Sequence, residues 1–295
     1  MVRTHSVLLL AVALCAATTT DSELGVGKAI NIFMRYGYLS ICMRVVPRND
    51  TEGWVFREPT VSVFRDVDRF SIAPKPRQAK ALFDGDFHME FCDNLKQLLQ
   101  AYFRDFTFER LERPWRAFTA GWPNDIIARN LGINSSFING DHCYVLVRVS
   151  RFRETAKLTD LPPNISIEDV VFDAIQDSTI GDTASIADFI RKYGSHYIAS
   201  YITGNSLYQV ASGNKTVENW ATKRLRVHYY IFSYPSLLKL HGEQSLLRNL
   251  DSLLGNEALL QLELKTLAPA FKDVKKKKWF EEVIDNYLKL WESNM

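Results

Sequence analysis

The chain has 295 residues, 46% of them hydrophobic and 24% charged, with a formal net charge of +2. That is ordinary globular composition, long enough for one large domain or two small ones. A balance this close to neutral excludes a nucleic-acid partner held by overall charge. Four cysteines are too few for a disulfide-stapled scaffold, so a hydrophobic core must hold the fold.

The chain opens "MVRTHSVLLLAVALCAATTTDSE". Arg3 supplies a basic start, and Val7 to Ala17 is an apolar run of roughly ten residues, half of what a bilayer span needs. Small residues follow. A buried N-terminal helix would need neither the basic start nor the small-residue exit. We expect a secretory signal peptide over residues 1–20 and a single mature domain over 21–295, extracellular or retained at a cell surface or in matrix. Sequons at Asn49, Asn134, Asn164 and Asn214 agree with secretion. Cys15 leaves with the leader. Cys42, Cys92 and Cys143 remain as disulfide candidates, an odd number that allows at most one intrachain bridge.

Ile30 to Val46 reads as extended and ends at "PRNDTEG". Val55 to Phe64 alternates around Pro59, and "APKPRQ" is a loop. Leu95, Leu98, Leu99, Tyr102, Phe103 and Phe106 fall on one face of a helix, and Asp86 to Asp105 as a whole follows helical period. Pro123 to Asp141, rich in Asn and Gly, reads as exposed loop. Cys143 to Val149 is a strand. Ser166 opens a helix with Glu168 and Asp169 in its first turn, and Ser185 to Lys192 is another short helix. From Tyr197 the pattern alternates with period two, so a strand begins there, with Gly204 marking a bulge or bend. Leu225 to Phe232 reads as strand and Leu237 to Leu260 as helix. "LELKTLAPAF" is extended up to Pro269. A terminal helix then carries Trp279, Phe280, Val283, Ile284, Tyr287, Leu288 and Trp291 on one face. Lys275 to Lys278 stand just ahead of it, as a basic lead-in that would bind an anionic lipid or sulfated glycan.

The stretch "YGSHYIASYITGN", Tyr193 to Asn205, poses the chemical question. Ser195 beside His196 suggests a hydrolase, but neighbours on a strand point to opposite faces, and no G-x-S-x-G elbow is present. His88 and Cys92, at i and i+4, share a face if helical, and His142 adjoins Cys143. There is no CxxC pair and no HExxH, so no metal or cofactor is expected. The motif reads better as backbone engineering: Gly194 supplies the positive φ of a helix exit, and the tyrosines pack with their polar tips bonded.

A helix ending in Tyr193-Gly194-Ser195-His196-Tyr197, with Gly204 following, resembles the signature of the membrane attack complex/perforin (MACPF) superfamily. The order of elements before it, from "CYVLVRVSRF" through "IEDVVFDAI" to "IADFIRKYGSHY", is similar too. Asn205 stands where the family has a second glycine. The resemblance implies an α+β fold, a bent, twisted four-stranded antiparallel sheet flanked by helices. In pore-forming members two helical clusters, here upstream of Cys143 and after Val210, unfurl into membrane hairpins. The residues argue against that use. The upstream segment has helical period, and the downstream one, "ASGNKTVENWATKRLRVHYYIF", is short, carries a sequon and is polar on both faces in its first half. The expectation is a secreted, non-enzymatic MACPF-domain protein in extracellular signalling, activating a receptor tyrosine kinase pathway in development. It would contact protein partners (ligand, receptor or matrix) or an anionic surface, with no nucleic acid and no small-molecule substrate. The alternative is a membrane-inserting, pore-forming effector.

Overall fold

The structure is a computed structural model that describes residues 24–33, 45–47, 54–56, 61–72, 85–119, 123–131, 133–138, 142–214 and 258–293. Cys42, Asn49, the leader, the strand expected at 225–232 and helix 237–257 lie outside these residues.

Among the described residues, ten strands and six α-helices follow in chain order: β1 (Lys28–Ile30), β2 (Val45–Pro47), β3 (Trp54–Phe56), β4 (Val61–Ser62), β5 (Ser71–Ile72), β6 (Gly85–Cys92), α1 (Leu95–Tyr102), β7 (Phe106–Phe108), α2 (Arg116–Thr119), α3 (Asn124–Leu131), β8 (His142–Leu158), α4 (Asp169–Asp177), α5 (Thr183–Tyr193), β9 (His196–Asn214), β10 (Ala258–Thr266) and α6 (Val274–Ser293). Four of them, β6, β8, β9 and β10, form an antiparallel sheet in that order. The α+β class and the four-stranded antiparallel core that the signature implies are both present. Short strands extend the sheet to eight. β7 adds parallel to β10, β5 adds to β8, and β1 takes the edge of β9 beyond the end of β8, with β4 outside it. β2 and β3 pair separately.

The bend has a local cause. Opposite Gly204 and Thr203, β8 carries one extra residue, Arg153. One step along, β10 carries an extra residue, Leu260. A bulge bends its strand and raises local twist, so two bulges flanking β9 at Ile202 to Gly204 concentrate the curl there. At Gly204 the extra residues belong to the neighbours of β9; further along, β9 carries one of its own, Ala199, between its pairings with Leu264 and Glu263.

Two cores flank the sheet. The larger unites β1, β9, β10, α4, α5 and α6 around Ile30, Ile186, Ile198, Leu264, Phe280 and Ile284. The smaller packs α1 and α3 on the β6–β8 face through Leu98, Ile127, Leu131, Tyr144 and Leu146. Arg148, 4% exposed in mid-β8, is neutralised by the Asp105 carboxylate at 2.5 Å.

Several elements differ from the sequence reading. Gly85 to Cys92 is strand, so helical period holds only after Asn94, whose side chain accepts from Gln97 N–H at 2.9 Å and starts α1. Phe106 lies beyond the helix, in β7, where Phe106 and Phe108 alternate with exposed Thr107. The supposed loop at 123–141 holds α3 and a 3-10 turn. Its Ile127, Leu131 and Ile138 are buried on the sheet, and tertiary contact outweighs the Asn-rich composition. α4 begins at Asp169 rather than Ser166, because Ile167 is still extended, bridged to Phe64. Ala258 to Leu260 are strand, not helix.

The lysines are inside α6, not ahead of it. Asp273 accepts from Lys276 N–H at 2.8 Å and moves the helix start to Val274. Cys92 opposes Tyr144 across β6 and β8, so Cys143, one residue away, faces the other side of the sheet. That geometry removes a Cys92–Cys143 bridge; both are buried thiols.

Phe280 is 0% exposed, stacks on Phe271 at 4.5 Å and meets Phe189 edge-on at 6.1 Å. Phe280→Ala should cost about 3–5 kcal/mol, read as a lower urea midpoint. Leu290→Ala, on the exposed side of the same helix, should move it by less than about 1 kcal/mol.

Candidate functional site

α5 is capped by Asp182, whose carboxylate accepts from Ala184 N–H at 3.0 Å, and carries Arg191 and Lys192 in its last turn, where the helix dipole favours cations. It ends at Gly194, φ 95°, ψ 174°. A Cβ there would lie 3.0 Å from the N, C and O atoms of Ile30. The glycine therefore answers two demands, a left-handed exit and the close approach of a second backbone. The expected positive φ is present, and the strap that needs it is β1.

Ser195 fixes that strap. Its N–H donates to Ile30 O at 3.0 Å, its carbonyl accepts from Leu267 N–H at 3.0 Å, and its Oγ accepts from Ile32 N–H at 3.2 Å. His196 Nδ1 lies 3.0 Å from Ser195 Oγ and Nε2 lies 3.2 Å from Glu109 O. The carbonyl can only accept, so Nε2 carries the proton and Nδ1 accepts from the serine hydroxyl. Serine and histidine therefore meet, contrary to the strand-alternation argument. Ser195 precedes β9, and the turn lets its side chain reach the ring.

The pair resembles a catalytic dyad only in its distance. Both residues are 0% exposed. The far ring nitrogen is bonded to a backbone carbonyl and not to an acid. The Glu109 carboxylate is itself occupied, accepting from Thr266 N–H at 2.6 Å and Thr266 Oγ–H at 3.0 Å. Burial holds the imidazole down to about 4, further lowered by Arg110 and only partly opposed by Glu109. A neutral ring that donates one bond and accepts another is a fastener.

The flanking tyrosines close the joint. Tyr193 O–H donates to Val170 O of α4 at 3.1 Å. Tyr197 packs edge-on against Phe64 at 5.3 Å, and burial, with Glu109's charge, pushes its phenol up. Next to Glu109, Arg110 adopts φ 67° and reaches α6, where it binds Asp285 at 2.6–2.7 Å. Glu109, Arg110, Ile30 and Thr266 complete the junction. Sequence reading missed them because they lie some 70 to 165 residues from the motif, with no local pattern to mark them.

The other sequence candidates are scattered. His88 is on strand β6, 2.9 Å from Glu90 and 2.7 Å from the Arg104 guanidinium. Cys92, further along that strand, is buried, and its thiol is pushed up to about 12 by burial and by Glu90 and Asp93. His142 packs on Phe137. No metal-ligand cluster occurs among the described residues. Asn134 and Asn164 are exposed; Asn134 Oδ1 accepts from Ser136 N–H and Oγ–H at 3.0 and 2.9 Å. Asn214 is the last residue of β9. Lys276 donates to Ile175 O and Gln176 O at 2.8 and 2.6 Å, capping α4, whereas Lys275, Lys277 and Lys278 are exposed. An open groove of about 480 Å³ lies beside β1, lined by Lys28, Ser62, Arg65, Asp66 and Glu168. No described helix is long and apolar enough to cross a membrane.

No protein-family model matches the sequence, and no curated protein does. Among solved structures, the chain is similar to a MAC/Perforin-domain protein from Bacteroides thetaiotaomicron, with TM-score 0.47 and 10% identity over 91% of this chain and 61% of that one. It is similar to GNIP1Aa from Chromobacterium piscinae, with TM-score 0.44 and 9% identity over 92% and 56%. Astrotactin-2, a perforin-like membrane protein involved in neuronal development, has TM-score 0.38 and 14% identity over 90% and 92%. The chain spans about three fifths of the length of the first two.

Gly194→Ala should destabilise the fold by about 1–3 kcal/mol and loosen the strap selectively. Hydrogen exchange should speed up at the Gly27, Ile32 and Ser195 amides before it does in α6. For His196, the unfolded chain binds a proton near 6.5 and the folded chain only near 4. Stability should therefore fall as pH drops from about 6.5 to 4, by up to about 3 kcal/mol, and this contribution should be constant below 4. In His196→Gln the same drop in urea midpoint between pH 7 and pH 4.5 should be smaller. Equal drops in both proteins would show a solvated ring.

Proposed function

We propose that the chain is a secreted, non-enzymatic MACPF-domain protein that acts in extracellular signalling through protein or surface contacts. The finer relationship we propose is to the insect Torso-like proteins, small secreted members of that superfamily that act in receptor tyrosine kinase signalling during development. The observation that carries the non-enzymatic part is the burial of Ser195 and His196, both 0% exposed with their polar atoms engaged by backbone and by each other. The leader and sequons support secretion, and the Tyr193–Tyr197 signature with Gly204 supports the superfamily.

The alternative is a pore-forming effector, and the link between β6 and β8 weighs against it. A membrane hairpin would extend those two strands through that link. Within it β7 is bonded to β10, Asp105 neutralises buried Arg148, and α1 and α3 fill the smaller core. Unfurling would give up all three sets of contacts. The full chain, added to dye-loaded vesicles of phosphatidylcholine and phosphatidylserine, should release no dye. Cross-linking on responsive cells should capture a discrete protein partner. Dye release without a partner would favour the pore.

A further inference from the structure

We infer that the exposed corner formed by Val274, Lys275, Lys277 and Lys278 at the start of α6 is a docking surface for an anionic lipid membrane. The sequence places four consecutive lysines here, and the structure divides them. Lys276 is consumed in capping α4. Lys275, Lys277 and Lys278 are exposed, and Lys278 only approaches Glu282, at 3.8 Å. Lys272, too, is engaged, donating to Pro163 O and Pro269 O at 2.9 and 3.2 Å; burial and the nearby Lys277 charge hold it below the usual lysine range. The carboxylates close by are fewer. Asp273 is spent on the Lys276 amide, and Glu281 lies 3.8 Å from Arg110.

Two features make this crowding hard to explain by folding alone. Lysines in the first turn oppose the helix dipole, and like charges repel. Val274, a β-branched apolar residue in the midst of them, is 80% exposed. Ile180, 49% exposed, follows α4 by three residues, at the helix end that Lys276 grips. Cations around a protruding apolar residue match a membrane interface, where headgroups take the charges and the acyl boundary takes the apolar tip. A sulfated glycan would take the lysines and have no use for Val274, and that difference separates the two occupants. The inference does not depend on the family relationship or on the signalling role.

The test uses the full chain with vesicles of phosphatidylcholine, with and without phosphatidylserine, and a heparin column. The parent should co-sediment only with the phosphatidylserine vesicles, less so as salt rises. Changing Lys275, Lys277 and Lys278 to Gln should weaken that binding on the order of a hundredfold at low salt, and changing the same three to Arg should preserve it. Val274→Ser, at a position too exposed to matter for folding, should weaken vesicle binding several-fold and leave heparin elution unchanged. The inference is overturned if the Gln variant binds as the parent does, or if neutral vesicles bind equally. It is also overturned if only heparin retains the protein, or if Val274→Ser binds vesicles undiminished.

Discussion

Two backbones meet at their contact limit where Gly194 passes Ile30, and the larger core depends on that meeting. No side chain fits between them. The helix exit, the start of β9 and the β1 strap can share one place only because one residue has no Cβ. Ser195 then binds the strap on one side and the Leu267 amide on the other. His196 reaches across to the turn after β7. Three segments distant in sequence are thus held by Ser195 and His196, and Tyr193 adds α4 through Val170 O.

The same joint reaches the C-terminal helix by a second route. Glu109 caps the end of β10 through Thr266, and its neighbour Arg110, in a left-handed conformation, grips Asp285. From the other end, Lys276 ties α6 to the last carbonyls of α4. Near its far end, Glu292 O accepts from Arg116 at 2.9 Å, so the helix is held by directional bonds along its length as well as by its buried aromatic face. That restricts how it can slide over the sheet, which a greasy interface alone would permit.

Local chemistry was readable in the sequence where it has a local cause. Gly194 follows a helix and precedes an alternating run, so its positive φ could be anticipated, and the terminal amphipathic face from Phe280 to Leu288 lies as its spacing indicates. Failures came where distant packing decides. Ile127 and Leu131 sit in a polar, Asn-rich stretch, yet they are buried because the β6–β8 face needs covering. Phe106 continues a helical spacing, but bonding to β10 makes it strand. The pairing of Ser195 with His196 could not be read from alternation, because alternation describes strands and Ser195 sits in the turn before one. The division of labour among the lysines needed the position of α4.

The strap also sets an order of events. Ile30 and Ile32 bond to Ser195, 165 and 163 residues further on. A chain made from its N-terminus presents the strap long before its socket, and closing so long a loop is entropically costly and slow. Until β9 has been synthesised, Ala29, Ile30 and Ile32, each under 5% exposed in the finished fold, lack the strand edge and the Ser195 bonds that hold them in the core. A segment made long before its socket waits to find its place, and through that interval it is an apolar, strand-forming stretch available to chaperones and to other nascent chains.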